Sequence, residues 1–408
     1  MIRRSVYLER VLSLVDSPVI KVLRGVRRCG KSVLLQQVRS ELIGGGVPED
    51  RVLLLNFESL STAHLTTHMA LYRHIVEWAG QAEGRAHILL DEIQLVDSWE
   101  RAVNSLRVDL DCDLIITGSN AWLLSTELST LLTGRYVELD VHPLSFAEHL
   151  DFVRATGAAP ADDIPAAFDL YLRLGGMPGV HEMADESGAL VYLRDVSDGI
   201  VLKDIVARHK LRDVDLLQRL LSFIMDNLGH TLSAKSVSGF LKSQRRSLGA
   251  ETVYNYLHAA VEACLIHKAE RYDIKGKRQL ETLEKYFLAD HGFAHAWLGY
   301  RPDEMPGVLE NIVYLELLRR GYTVRIGRQG AAEVDFVADR QDKRLYVQVA
   351  YLLSDPAVVD REFAPLAQIA DHHRKVVLSL DTLPASSRDG IERLYLPEFL
   401  LAADVRAD

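Results

Sequence analysis

Eight residues near the start of the chain, Gly25-Val26-Arg27-Arg28-Cys29-Gly30-Lys31-Ser32, set two glycines, a lysine and a hydroxyl in the pattern GxxxxGK[ST]. Those residue types at that spacing suit the cradling of phosphate. Gly25 and Gly30 let the backbone turn tightly, so N–H groups of the loop and of the following helix converge on phosphate oxygens. Lys31 can reach β- and γ-phosphates, and the Ser32 hydroxyl can ligate magnesium. Arg28, Cys29 and Val33 complete the set expected along the phosphates, Arg27 and Arg28 either touching phosphate or facing solvent.

A second constellation follows in His87-Ile88-Leu89-Leu90-Asp91-Glu92, an apolar run closing on two carboxylates. Asp91, at a strand's C-terminal end, is placed to hold magnesium through water. Glu92 is placed to polarise an attacking water. An acid after a strand can also be a plain helix cap; downstream of a phosphate loop, the metal-binding pair is the better reading. A third run, Leu114-Ile115-Ile116-Thr117, ends in Gly118-Ser119-Asn120. Ser119 or Asn120 could hold the γ-phosphate or the attacking water, or serve ordinary turn chemistry. Arg135 is a candidate arginine finger, in cis or lent by a neighbouring subunit, against a solvated arginine at a strand start. The chemistry implied is binding of ATP with Mg2+ and its hydrolysis.

These groups need a sheet to carry them. Apolar runs at Val19–Leu23, Val52–Phe57, His87–Leu90, Asp113–Thr117 and Tyr136–Val141 read as strands, with helical spacing at Ser32–Leu42 and Ser98–Leu110. The alternation predicts an α/β domain with a mainly parallel sheet. From about 143 to 225 the pattern is helical, broken by Gly175-Gly176-Met177-Pro178-Gly179, and a long helix is expected over Val308–Arg320.

Composition sets the bounds. The 408 residues, 48% hydrophobic and 25% charged, fit an ordinary globular chain of two to four domains. No apolar run approaches the roughly 20 residues a membrane helix needs, and the N-terminus lacks a signal-peptide core; a cytoplasmic protein is expected. Cys29, Cys112 and Cys264 are odd in number and far apart, against a disulfide framework or a CxxC site. The 15 histidines are scattered and suggest no transition-metal site, with His372-His373 read as a surface pair. The net charge of −10 weighs against a general nucleic-acid coat, yet residues 230–280 hold nine basic residues against four acidic.

The whole string resembles prokaryotic AAA-like ATPases of archaeal type with a C-terminal domain of unknown function. The resemblance rests on Gly25–Ser32, Leu89-Leu90-Asp91-Glu92-Ile93-Gln94, Thr117-Gly118-Ser119-Asn120, Leu131–Arg135, Pro143-Leu144-Ser145-Phe146-Ala147-Glu148 and Gly175-Gly176-Met177-Pro178. It implies a P-loop AAA-like core over residues 1–150 with a helical lid over 151–215. A winged helix over 216–290 and a PD-(D/E)XK-like α/β domain over 291–408 then follow, in a chain that works as a homo-oligomer.

The residues of the C-terminal half can be read beside that resemblance. Ser233–Leu241 and Thr252–Ala263 read as helices and Cys264-Leu265-Ile266 as the opening of a hairpin that turns near Lys275-Gly276-Lys277-Arg278. Tyr254 and Asn255 would lie on the recognition helix, with the basic tip against a DNA backbone or minor groove; winged helices also bind protein. In the nuclease-like domain the resemblance implies Glu310 and Asp335 as metal-binding acids, but Gln348-Val349-Ala350 stands where Glu-x-Lys is expected. A neutral Gln is a poor magnesium ligand and Ala350 brings no charge, so this domain is expected to be inactive. The leading expectation is a DNA-acting ATPase. The alternatives are an ATP-dependent regulatory switch with protein partners and, last, an active nuclease.

Overall fold

The computed structural model describes residues 2–118, 132, 134–157, 163–233, 236–237, 239–240, 250–353, 355–382 and 384–402. The chain divides into two compact units, residues 1–143 with 262–264, and residues 144–261 with 265–408.

In the first unit five strands form one parallel sheet: β1 (Ile20–Arg24), β2 (Val52–Asn56), β3 (Ala86–Asp91), β4 (Cys112–Gly118) and β5 (Tyr136–Asp140). Their order is β2-β3-β4-β1-β5, and every neighbouring pair is parallel. The predicted strands agree with these to within a residue or two; the central β3 and β4 are buried almost throughout, and such parallel strands read as continuous apolar runs. Side chains alternate across the sheet. Ile20, Val22, Ile88, Leu90, Leu114 and Ile116 join one core cluster with residues of α3 (His68–Ala79) and α4 (Trp99–Asp109). Leu23, Leu89 and Ile115 alternate with them and are equally buried; α2 (Lys31–Gly44) packs on β2 and β3. A short α1 (Ser5–Leu12) precedes β1 and packs on α2. Because the chain leaves β1 through α2 and crosses to β2 at the edge, the loop after β1 lies beside the C-terminal ends of β3 and β4.

The second unit begins at Leu144 rather than at 150. A capping box starts α5 (Phe146–Thr156): Glu148 N–H donates to Ser145 Oγ at 3.2 Å while Ser145 N–H donates to the Glu148 carboxylate at 2.9 Å. The helices α6 (Ile164–Leu174), α7 (Glu186–Gly199), α8 (Val214–Met225) and α9 (Ala250–Glu262) follow. The expected hairpin forms as β7 (Ile266–Asp273) against β8 (Arg278–Leu288), antiparallel. The two elements expected as separate domains are joined in one sheet. β7 pairs in parallel with β9 (Thr323–Gln329), and the nine-stranded sheet runs from β13 (Ser386–Arg388) through β14 (Ile391–Tyr395), β12 (Arg374–Ser379), β11 (Lys343–Val349), β10 (Ala332–Arg340), β9, β7 and β8 to β6 (Thr231–Leu232). The division at 290 therefore fails, because backbone pairing between distant strands leaves no trace in local composition. β10 and β11 are antiparallel, whereas β11 and β12 are parallel. Between α10 (Gly292–Leu298) and β9 lies α11 (Met305–Arg319), buried almost all round, and its apolar residues join a core cluster of this unit. Such a helix belongs at the centre of a core.

Among the described residues, no helix is long and apolar enough to cross a membrane.

Candidate nucleotide site

The loop after β1 is built as the pattern predicts. Gly25 has φ +154°, and a Cβ there would meet the Val141 carbonyl oxygen at 2.1 Å. Gly30, at φ +102°, is the N-cap of α2, and no side chain caps that helix start. Its first-turn N–H groups are thus left for an outside acceptor. The Lys31 ammonium, 3% exposed, donates to the carbonyls of Gly25 at 2.9 Å and Val26 at 3.1 Å. Both partners are neutral, so the ammonium can exchange them for a phosphate without breaking an ion pair.

The Cys29 side chain serves packing. It is fully buried, its thiol donates to the Val141 carbonyl at 3.1 Å, and the Cys29 carbonyl accepts from Arg4 Nη1 at 2.8 Å. Arg4 also donates to His142 O at 2.9 Å, tying the N-terminus, the loop and the end of β5 together. Arg28 is exposed with φ +65°, Val33 is 37% exposed, and Arg27 lies 3.7 Å from Glu58.

Asp91 is 2% exposed at the end of β3. Its carboxylate accepts from Thr117 Oγ1 at 2.6 Å and Asn56 Nδ2 at 2.9 Å, and from the Ser32 hydroxyl. Burial pushes its pKa above the usual carboxylate range, against the bonds from Thr117 and Ser32 that favour the charged form. Glu92 follows in the left-handed region, φ +56°, which costs roughly 1–2 kcal/mol for a side-chain-bearing residue. Its N–H donates to Thr117 Oγ1 at 3.0 Å, and its carboxylate accepts from Gln94. Strain at the tip of a buried strand marks a position whose side chain is set by more than the sheet. The Ser32 and Asp91 oxygens already touch, so they suit a small hard cation with oxygen ligands.

The fold thus brings Gly25, Gly30, Lys31, Ser32, Asp91 and Glu92 to one sheet edge. Ser119 and Asn120 lie outside the described residues. Arg135 does not join this edge. Its carbonyl accepts from Ile20 N–H at the opposite end of β1, and its Nη1 donates to Asn104 at 2.9 Å. Five residues of β1 at about 3.3 Å each separate it from the loop, so a role in cis is set aside. Sequence reasoning missed Asn56 and Thr117. A signal was present: the adjacent apolar strands β2, β3 and β4 each carry a polar residue at or next to their C-terminal end, and Asn56 and Asp91 are register partners.

Elsewhere in this unit Asp16, His87 and Asp113 offer donor atoms within 4.8 Å of one another. Lys21 pairs with Asp113, and Arg85 with Asp16 at 3.0 Å, so both carboxylates are already balanced.

The second unit holds a carboxylate cluster. Glu310 of α11 and Asp335 of β10 do come together, with Gln348 of β11 beside them, while Ala350 packs into an apolar cluster. The cation expected to be lost is supplied from another strand: Lys285 of β8, 1% exposed, lies 2.9 Å from Glu310 and 2.6 Å from Glu333. On α9, Tyr254, Asn255 and His258 are exposed on one face, as are Lys275, Lys277 and Arg278 about the β7–β8 turn.

Comparison with known proteins follows this division. Residues 17–150 match a family described as an AAA domain, and residues 165–304 match a domain of unknown function, DUF8612. An uncharacterized protein of Haemophilus influenzae is 38% identical over 401 residues, 98% of this chain and 99% of its own. One from Methanocaldococcus jannaschii is 29% identical over 345 residues, 82% of this chain and 75% of its own. Among solved structures, a Walker-type ATPase of Pyrococcus abyssi superposes with TM-score 0.51 at 15% identity, covering 73% of this chain and 96% of that one. That level of likeness speaks for the fold. With its phosphate loop, its Asp91-Glu92 strand end and a relative matched over nearly the whole length, the chain belongs to the family of the Haemophilus influenzae protein and carries an AAA-like P-loop ATPase domain.

Proposed function

We propose that the chain binds ATP with magnesium at the end of its parallel sheet, hydrolyses it, and couples hydrolysis to DNA. The observation that carries the first part is the convergence of the Gly25–Ser32 loop with Asp91 and Glu92. The α2 N-terminus and Lys31 take the phosphates, and Ser32 and Asp91 would hold the magnesium. Bound there, the ion neutralises charge developing on the phosphates. Glu92 orients and polarises the attacking water; Thr117 fixes it by receiving its N–H and donating to Asp91. Arg135, distant from its own loop, would act as a finger only toward a neighbouring copy.

The DNA half rests on charge and exposure. The Lys275–Arg278 tip is solvent-facing, Arg278 with 75% of its side chain exposed, in a basic stretch of an acidic chain. Tyr254, Asn255 and His258 offer groups that reach base edges or phosphates. The test is the ATPase rate with and without single-stranded, duplex and branched DNA at two salt concentrations. Stimulation by one form that fades with salt is the expected result. Turnover without stimulation or binding overturns the DNA half and leaves an ATP-driven switch with protein partners. Lack of Mg2+-dependent turnover altogether overturns the first half.

A further inference from the structure

The carboxylates of the second unit are gathered around an ammonium. Glu310 comes from α11, Glu333 and Asp335 from β10, and Lys285 from β8. Lys285 Nζ donates to Glu310 at 2.9 Å and contacts Glu333 at 2.6 Å. The charge of Asp335 acts on the same ammonium. One Asp335 oxygen accepts the Val349 N–H at 2.7 Å, and its own N–H donates to Gln348 Oε1 at 3.3 Å. Gln348 Nε2 in turn donates to buried Glu362 at 3.0 Å. Its amide is therefore engaged at both ends. Over Glu310 sits Gly229, where an added Cβ would come within 2.9 Å of the second Glu310 oxygen.

A nuclease-like centre would hold magnesium between Glu310 and Asp335. The residues present do not fit that ion. Magnesium demands oxygen ligands at about 2.0–2.1 Å in an octahedron, while here a cation on a fixed side chain already donates a hydrogen bond to Glu310. A second cation between the same acids would lie within a few ångströms of the ammonium, where like charges in a poorly solvated site repel strongly. Burial by itself would lower the Lys285 pKa. The charges of Glu310, Asp335 and Glu333 outweigh it and hold the lysine charged, above its usual range. Burial pushes Glu310 up to about 7 even with Lys285 against it.

We propose that Lys285 is a built-in replacement for a divalent cation, so that the Glu310–Glu333–Asp335 cluster is a metal-free centre joining β8, α11 and β10. It follows that removing the ammonium opens a divalent-cation site. The experiment titrates Mn2+ alone, without nucleotide, into the full-length wild type, Lys285→Met and the roomier Lys285→Ala. Bound Mn2+ is read by electron paramagnetic resonance and the melting temperature is followed alongside. Asp335→Asn, added to each, assigns any bound ion to this cluster. Wild type is expected to bind no Mn2+ that Asp335→Asn removes. At least one Lys285 variant is expected to gain one such ion, about tenfold or more tighter than the same variant carrying Asp335→Asn, with a rise in melting temperature. Mn2+ held by the wild-type cluster overturns the proposal, since the lysine and the metal then coexist. So does a folded Lys285 variant that gains none, and so does failure of both variants to fold at saturating Mn2+.

Discussion

The two units each bury a lysine among carboxylates, and they use it in opposite ways. Lys31 donates to two backbone carbonyls while Asp91 is satisfied by Thr117, Asn56 and Ser32. Lys285 donates straight into Glu310 and Glu333. An ammonium on neutral acceptors has little to lose by turning to an incoming phosphate. One held by carboxylates has a great deal to lose, because Glu310, with only 12% of its side chain exposed, would be left charged in a poorly solvated place. The first arrangement is a site in waiting; the second is closed. Separation of cation from acid, more than the residue types, distinguishes them.

The contrast breaks most completely at Lys31. Lys31→Ala should abolish nucleotide binding or turnover while leaving the melting temperature of the nucleotide-free protein nearly unchanged. Normal turnover in that variant would remove the phosphate loop from its assigned role. Lys285→Met should do the reverse, costing about 3–5 kcal/mol of stability, measured by denaturant unfolding, with ATP binding retained. A cost near zero would mean the ammonium is not needed by its acids. Glu92→Gln sharpens the first site from within. It should keep ATP bound and slow hydrolysis by roughly 10²-fold or more, and single-turnover kinetics at wild-type speed would dismiss Glu92 as the water-positioning group.

The remaining effects concern pH and lie in the second unit. His149 and His291, buried in the second unit, are pushed down to about 3 by burial first, and then by neighbouring histidines. A group whose folded pKa is depressed contributes stability above its unfolded value, near 6.5, and that stability is lost as pH falls toward 3. The slope reaches up to about 1.4 kcal/mol per pH unit for each group. Asp290 has the opposite sign: burial pushes it up to about 7 despite the N–H groups of Gly176 and Gly292 on its carboxylate. Its contribution is present below about 4 and lost as pH rises through 7. In chemical unfolding followed from pH 8 to 4, His149→Phe should flatten the acid-side loss and Asp290→Asn the loss toward neutral pH. Unchanged profiles would show that these groups are not buried in the way described.

Much of the first unit was legible because its signals are local. Two glycines and a lysine within eight residues dictate a loop and a helix start, and a continuous apolar run dictates a buried strand. The polar ends of those strands were equally visible, yet Asn56 and Thr117 went unread because their roles depend on which strands are neighbours. The second unit shows the limit more sharply. Its histidines look scattered in sequence, but half-buried His181 and buried His149, Tyr171, His291 and His295 form a row with neighbouring ring centroids 4.8, 5.1, 5.1 and 6.3 Å apart. A boundary placed at 290 dissolved because β7 pairs with β9 across some fifty residues. The predicted helix and hairpin at 250–288 were nevertheless right as elements, since each is specified by its own spacing.

By itself, the sequence determined the elements, the phosphate loop and the acid pair that follows it, all of which depend on residues close along the chain. Only the tertiary structure decided that Arg135 stands at the far end of its own sheet, and that a lysine 25 residues before Glu310 fills the place between the acids. The physical reason is the same in each case. Charge acts through space, and a side chain's partner is set by which strands and helices pack together rather than by its distance along the chain.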